Sequence, residues 1–165
     1  MGLSDRQLRS ILRSARGVEF APGDTIVVEG SAGRSFFLIR QEAAKVSAGG
    51  ADLAKLGPGS YFGELALIDE GPRTASVTAE TQTMTVEVPS SGFWRALGDD
   101  PSAARAIYLE LREWLASTGE PLPEEAEGPV DREMLVQLCR RLREARSVEW
   151  AEGQARSHRR PWARR

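Results

Sequence analysis

The chain has 165 residues, 41% of them apolar and 28% charged, which is enough for one domain of ordinary size with a core of its own. Twenty-two basic residues against 24 acidic ones leave a formal net charge of −2, so charge points to neither a nucleic acid nor a membrane surface. A single cysteine, Cys139, and a single histidine, His158, argue against a disulfide framework, a multi-thiolate zinc site and a histidine-based catalytic relay.

Met1 to Arg6 hold no apolar signal region, and no later run approaches the roughly 20 apolar residues of a membrane span, so a cytoplasmic protein of a reducing compartment is expected. Ser4-Asp5-Arg6-Gln7 reads as a capping box, in which serine and glutamine each satisfy an orphan amide at a helix start. Leu8, Ile11, Leu12 and Ala15 follow at helical spacing, and Gly17 supplies a stop. From Phe20 to Val88 the pattern changes to short apolar runs cut by turn residues. Residues 25–28 lie between Pro22-Gly23-Asp24 and Glu29-Gly30, and 36–39 form the next run. Residues 44–47 and 51–56 flank a Gly49-Gly50 hairpin signal, Gly57-Pro58-Gly59 marks another turn, and 74–79 and 81–88 are rich in β-branched residues. Short strands at this spacing predict an antiparallel sandwich or barrel, with no crossover helices.

Helical signals return after Val88. Residues 91–97 predict a short helix, and Asp100-Pro101 places a good N-cap before a proline at the first helical position. Ala104, Ile107, Tyr108, Leu111 and Leu115 form one stripe, so 101–117 is predicted helical, with Tyr108 and Trp114 better suited to a core or an interface than to stacking on a base. Residues 119–130 combine proline, glycine and acid without periodicity, a linker composition. From Asp131 to about Val148, Leu135, Leu138, Leu142 and Ala145 share one face with arginines opposite. Residues 153–165 carry five arginines and His158 without an acid, and read as an unstructured tail.

Residues 62–77 carry the chemistry: Phe-Gly-Glu-Leu-Ala-Leu-Ile-Asp-Glu-Gly-Pro-Arg-Thr-Ala-Ser-Val. A glycine frees the backbone, and the apolar run behind it makes a helical turn whose first amides point outward as an anion site. Arg73 follows a proline and precedes a strand, and its planar guanidinium suits bidentate contact with phosphate oxygens. The Glu64 carboxylate only accepts hydrogen bonds, so it suits sugar hydroxyls and repels phosphate. Together these groups describe a sugar-phosphate site. A bland alternative, an Arg73–Glu64 salt bridge on a loop, suits an isolated pair better than one inside sixteen such residues. The glycines from Gly57 to Gly63 are a turn and no dinucleotide fingerprint, because Phe62 takes the third glycine's place.

This segment resembles the phosphate-binding cassette of cyclic-nucleotide-binding domains, found in the catabolite activator protein, protein kinase regulatory subunits and nucleotide-gated channels. The match runs through Phe62-Gly63-Glu64-Leu65-Ala66-Leu67 and Pro72-Arg73-Thr74-Ala75-Ser76-Val77. Upstream, Pro22-Gly23-Asp24 with Glu29-Gly30, Ser35-Phe36-Phe37-Leu38-Ile39 and Leu56-Gly57-Pro58-Gly59-Ser60-Tyr61 resemble the family's strand and turn markers in order. The resemblance covers roughly residues 3–117 and implies a mainly β fold, a jelly-roll barrel flanked by helices. It implies cyclic AMP or cyclic GMP as ligand. Gly63, Glu64, Leu65 and Ala66 would face it, with Glu64 on the ribose 2′-hydroxyl, while Arg73 pairs with the cyclic phosphate and Thr74 and Ala75 add a hydroxyl and an amide. Helix 101–117 would close over the base and transmit the signal, with Arg112, Glu113 and Ser117 as candidate polar contacts. One departure stands out: the family turns with a glycine near position 42, where this chain has Glu42.

The expected organisation is a nucleotide-binding domain over 1–118, a linker over 119–130, and a helix with a basic tail over 131–165. A chain ending after Ser117 is expected to keep its fold, and the stripe Leu135, Leu138, Leu142 is a candidate homodimer seam. No grouping of nucleophile, base and oxyanion donor is visible, so a signalling receptor acting on an effector protein is expected, and no enzyme. Two alternatives remain, a transcription regulator and a module whose pocket no longer binds. DNA binding is not expected, because residues 119–165 hold one helix and no recognisable winged helix.

Overall fold

In the computed structural model of the chain, which describes residues 3–151 and only the main chain of Glu64 and of residues 146–151, Ser4 caps the first helix, α1 (Asp5–Leu12). The Ser4 hydroxyl accepts the Gln7 amide at 3.3 Å while Gln7 Oε1 accepts the Ser4 amide at 2.8 Å, completing the capping box. Strand structure begins earlier than the apolar pattern predicts. Gly17 lies inside β1 (Arg16–Phe20), where ladder pairing from Arg16↔Glu87 to Phe20↔Thr83 overrides its reading as a helix stop.

The strands β2 (Thr25–Val27), β3 (Ser35–Gln41), β4 (Ala44–Ala48), β5 (Ala51–Leu56), β6 (Tyr61–Phe62), β7 (Ser76–Ala79) and β8 (Thr83–Pro89) come next, and all but the two-residue β6, which exists through its pairing with β3, follow the predicted runs. They form two four-stranded antiparallel sheets, ordered β1-β8-β3-β6 and β2-β7-β4-β5, the arrangement of a jelly roll. Glu42 turns β3 into β4 with φ of 68°, so the left-handed conformation that favours glycine is kept with another residue in it. Gly49 and Gly50, at φ of 57° and 79°, close the next hairpin. Between the sheets, Val27, Phe37, Ile39, Val46, Phe62 and Val77 form one core, in which the Phe37 and Phe62 rings stack at 5.2 Å.

A second core lies outside the roll, built from the helices and one face of β3 and β8. α2 (Glu64–Asp69) sits between β6 and β7, and α3 (Ser90–Asp99) and α4 (Pro101–Ser117) follow β8. Asp100 caps α4 by accepting the Ser102 amide at 3.1 Å. α5 (Arg132–Ala151) belongs to this same core: Leu135, Leu138, Cys139 and Leu142 are 1%, 2%, 0% and 0% exposed, against α4 and α2. The expectation that residues past Ser117 add little to the fold is therefore corrected. The Leu135, Leu138, Leu142 stripe faces its own chain, so it is not an open dimer seam.

Residues 119–130 form no helix or strand, as their composition predicts, yet they are stitched down. Tyr108 Oη donates to Glu124 O at 3.1 Å, Arg105 Nη1 to Ala126 O at 3.1 Å and Arg112 Nε to Pro123 O at 3.3 Å. The extended backbone offers carbonyls that proline and glycine leave open, and α4 supplies the donors. The arginine tail of 153–165 lies outside the described residues.

Candidate functional site

The site begins where β6 ends. Phe62 pairs with Phe37 of β3, and Gly63, at φ of 85°, turns the chain directly into α2. The first hydrogen bond inside α2 runs from the Leu67 amide to Gly63 O at 3.1 Å, so the amides of residues 64–66 have no carbonyl within the helix to bond. Leu65 is buried in the helical core and Ala66 is buried as well, and what they can offer a ligand is their main chain. The main chain of Glu64 opens the helix, while its side chain lies outside the described residues.

Arg73 is brought to the same place from the other side. Its amide donates to Ser31 O at 2.8 Å, its carbonyl accepts the Gly30 amide at 2.9 Å, and Ala32 forms a bridge with Pro72. The side chain is 8% exposed, and Nη1 donates to Ser35 O at 2.8 Å and to Gly63 O at 3.5 Å. A guanidinium is thus held between the turn before β3 and the turn before α2, beside the helix start. Thr74 and Ala75, both half-buried, carry the chain from Arg73 into β7, where Ser76 Oγ accepts the Glu29 amide at 2.9 Å.

The structure therefore brings Gly63, Leu65, Ala66 and Arg73 together and sets Thr74 and Ala75 next to them. The 30–35 segment was not singled out as part of the site. It acts through its main chain, and its visible signals were the Glu29-Gly30 turn and the strand marker that begins at Ser35. Other candidates are engaged elsewhere. Arg112 bonds Pro123 O, the Ser117 hydroxyl donates to Trp114 O at 2.6 Å, and Tyr108 and Trp114 are buried in the helical core.

The far end of α2 is gripped by α5. Arg143 meets Asp69 in a bidentate pair, Nε to Oδ2 at 2.9 Å and Nη2 to Oδ1 at 2.8 Å, and its Nη1 donates to Pro72 O. The Asp69 side chain is 2% exposed and also accepts the Gly71 amide at 2.9 Å. Arg132 reaches Glu70 at 3.6 Å with its guanidinium 4.5 Å above the Trp94 ring centroid. Two arginines of α5 thus tie down the loop that leads from α2 to Arg73.

Comparison with known proteins identifies the family of the domain. The family described as "Cyclic nucleotide-binding domain" matches residues 17–100. The rat potassium/sodium hyperpolarization-activated cyclic nucleotide-gated channel 3 is 34% identical over 139 residues, 78% of this chain and 18% of the channel. A cAMP-dependent protein kinase regulatory subunit of Hypocrea atroviridis is 39% identical over 95 residues, 57% of this chain and 21% of that protein. The chain thus spans about a fifth of the length of these relatives. Among solved structures, the N-terminal domain of a transcriptional regulator from Streptomyces coelicolor A3(2) superposes with a TM-score of 0.64 at 30% identity, covering 74% of this chain and 91% of that domain.

Proposed function

This chain belongs to the cyclic nucleotide-binding domain family, and from that premise we propose that it is a receptor module that binds cyclic AMP or cyclic GMP and signals without catalysing a reaction. The observation that carries the reading is the Arg73 guanidinium, buried and held by Ser35 O beside the opening turn of α2. There a cyclic phosphate would meet a fixed bidentate donor together with the amides of Leu65 and Ala66. Glu64 takes the ribose 2′-hydroxyl, Gly63 lets the turn approach the ligand, and Thr74 and Ala75 supply a hydroxyl and an amide to the phosphate.

The nucleotide-binding unit in this proposal is 1–118, and α4 carries the signal. α5 packs on both α4 and α2, so a shift of the cassette has a packed route to α4. A cytoplasmic location and an effector protein responding to the helices belong to the same proposal. The name of the kinase regulatory relative supports cyclic AMP, and that of a cGMP-dependent protein kinase of Toxoplasma gondii supports cyclic GMP.

Isothermal titration of the purified chain with each nucleotide tests the reading. Saturable binding of either supports it, and binding of neither overturns it. Thr74→Ala refines the result: a larger loss for cyclic GMP than for cyclic AMP identifies a guanine contact, and equal losses put the hydroxyl on the shared phosphate. A second reading, the sensor part of a transcription regulator, is favoured by the Streptomyces coelicolor domain. A nucleotide-dependent DNA gel-shift of the protein that carries this chain separates the two.

A further inference from the structure

We propose that Gly33 is a positioning residue for the nucleotide phosphate, its missing side chain being the space that the Arg73 guanidinium occupies. The proposal rests on the assignment of Arg73 to the phosphate. A Cβ built on Gly33 would lie 2.3 Å from Nε, 2.4 Å from Cζ and 2.8 Å from Nη2 of Arg73, all far inside contact distance. On the other side, a Cβ on Gly63 would lie 2.4 Å from Nη1. The guanidinium is therefore flanked by two glycine backbones, with Ser35 O accepting from Nη1 at 2.8 Å.

The Gly33 backbone cannot easily retreat from the arginine. Ala32 is bridged to Pro72, the Ser31 carbonyl accepts the Arg73 amide at 2.8 Å, and the Arg34 carbonyl accepts the Ser90 amide at 2.7 Å. With the loop pinned on both sides of Gly33, an added methyl group must move the side chain. Arg73 can yield, because its guanidinium ends a run of single bonds. The fold then survives while the planar fork leaves the position from which it would meet two phosphate oxygens.

Gly33 also separates position from backbone strain. Its φ lies outside the left-handed region, so alanine there is not strained by the main chain. Gly63, at φ of 85°, gives no such separation, since any substitution there strains the turn itself.

The test is a double-mutant cycle read by titration with cyclic AMP and cyclic GMP and by thermal melting, using Gly33→Ala, Arg73→Ala and the double variant. Gly33→Ala is expected to weaken both nucleotides by about tenfold, the scale of a lost charge-assisted contact. In the Arg73→Ala background the same substitution should change affinity by less than about twofold, because the group it displaces is gone. If Gly33→Ala melts well below wild type, the double variant should recover that loss. The proposal is overturned by wild-type affinity in Gly33→Ala, by an equal further loss in the Arg73→Ala background, or by a double variant as unstable as the single one. Wild-type protein that binds neither nucleotide overturns the functional reading, and this one with it. Unchanged Gly33→Ala affinity beside weakened Arg73→Ala affinity overturns this one alone.

Discussion

At the scale of single residues, Arg73 and Glu42 make opposite predictions. Arg73 Nη1 is held by the Ser35 and Gly63 carbonyls, so in the proposed role its contribution is one of placement. Arg73→Ala should weaken cyclic-nucleotide binding by at least about tenfold, the equivalent of roughly 1.5–3 kcal/mol, with melting little changed, as titration and calorimetry would report. Glu42 sits at φ of 68° in a turn where a side chain works against the backbone. A left-handed non-glycine residue costs about 1–2 kcal/mol, and glycine gives back roughly half to one through the freer unfolded chain. Glu42→Gly should therefore stabilise the protein by about 0.5–1 kcal/mol in chemical denaturation, and a lower midpoint would contradict the strain. The departure from the family's turn residue thus changes the cost of the turn and leaves its shape intact.

Among the elements, α5 is the one whose role the structure changes. Its five apolar residues from Leu135 to Leu142 are buried, none more than 9% exposed, and its Arg143 closes on a carboxylate that is 2% exposed. Arg143→Ala leaves the Asp69 charge buried without its bidentate partner, and should cost about 3 kcal/mol or more of folding stability. Replacing both partners, Asp69→Asn with Arg143→Met, should recover part of that loss in the same urea titration, because the buried charge is removed with its counter-ion. A chain ended after Ser117 loses all of α5 and uncovers apolar surface on α4 and α2. Broad, non-cooperative melting is the expected result, and a sharp transition near that of the full chain would show that α5 only rests on the core. Residues 119–130 keep the irregular backbone their composition predicts. Composition reports that a segment will not form a helix, but does not report whether its carbonyls find donors elsewhere.

At the scale of the whole molecule there are two cores, one inside the roll and one among the helices, and Glu110 lies at the edge of the second. It borders an apolar cavity of about 80 Å³ shared with Ile11, Phe36, Phe93 and Leu111. Burial raises its carboxyl above the ordinary value of 4.5, with Glu113 adding to the effect. A carboxyl raised on folding contributes stability that is fully present below its unfolded value and lost as pH rises through its folded one. At pH 7 the ionised group therefore works against the fold. Glu110→Gln should melt above wild type at pH 7, and the gap should close as the pH falls towards 4. A gap that stays constant across that range would show that titration of Glu110 is not its source.

The strands β2 to β5, β7 and β8, the hairpin glycines, the capped helices α1 and α4 and the helical turn behind Gly63 were legible in the chain, because each rests on neighbours in sequence. Alternation, turn conformation and capping act over two to four residues, and a run of residue types records them directly. The start of β1 was hidden, since pairing with β8, about 70 positions away, decided it against the local reading of Gly17. The same distance hid the grip of α5: Arg143 and Asp69 stand 74 positions apart, and their spacing in the chain carries no trace of the bond. Arg73 was visible as a candidate phosphate ligand by its type and setting, but the glycine backbone beside it and the Ser35 carbonyl that holds it, 38 positions upstream, were not. Main-chain carbonyls and absent side chains have no residue signature. Only packing gives them a position, and packing is what the tertiary structure decided.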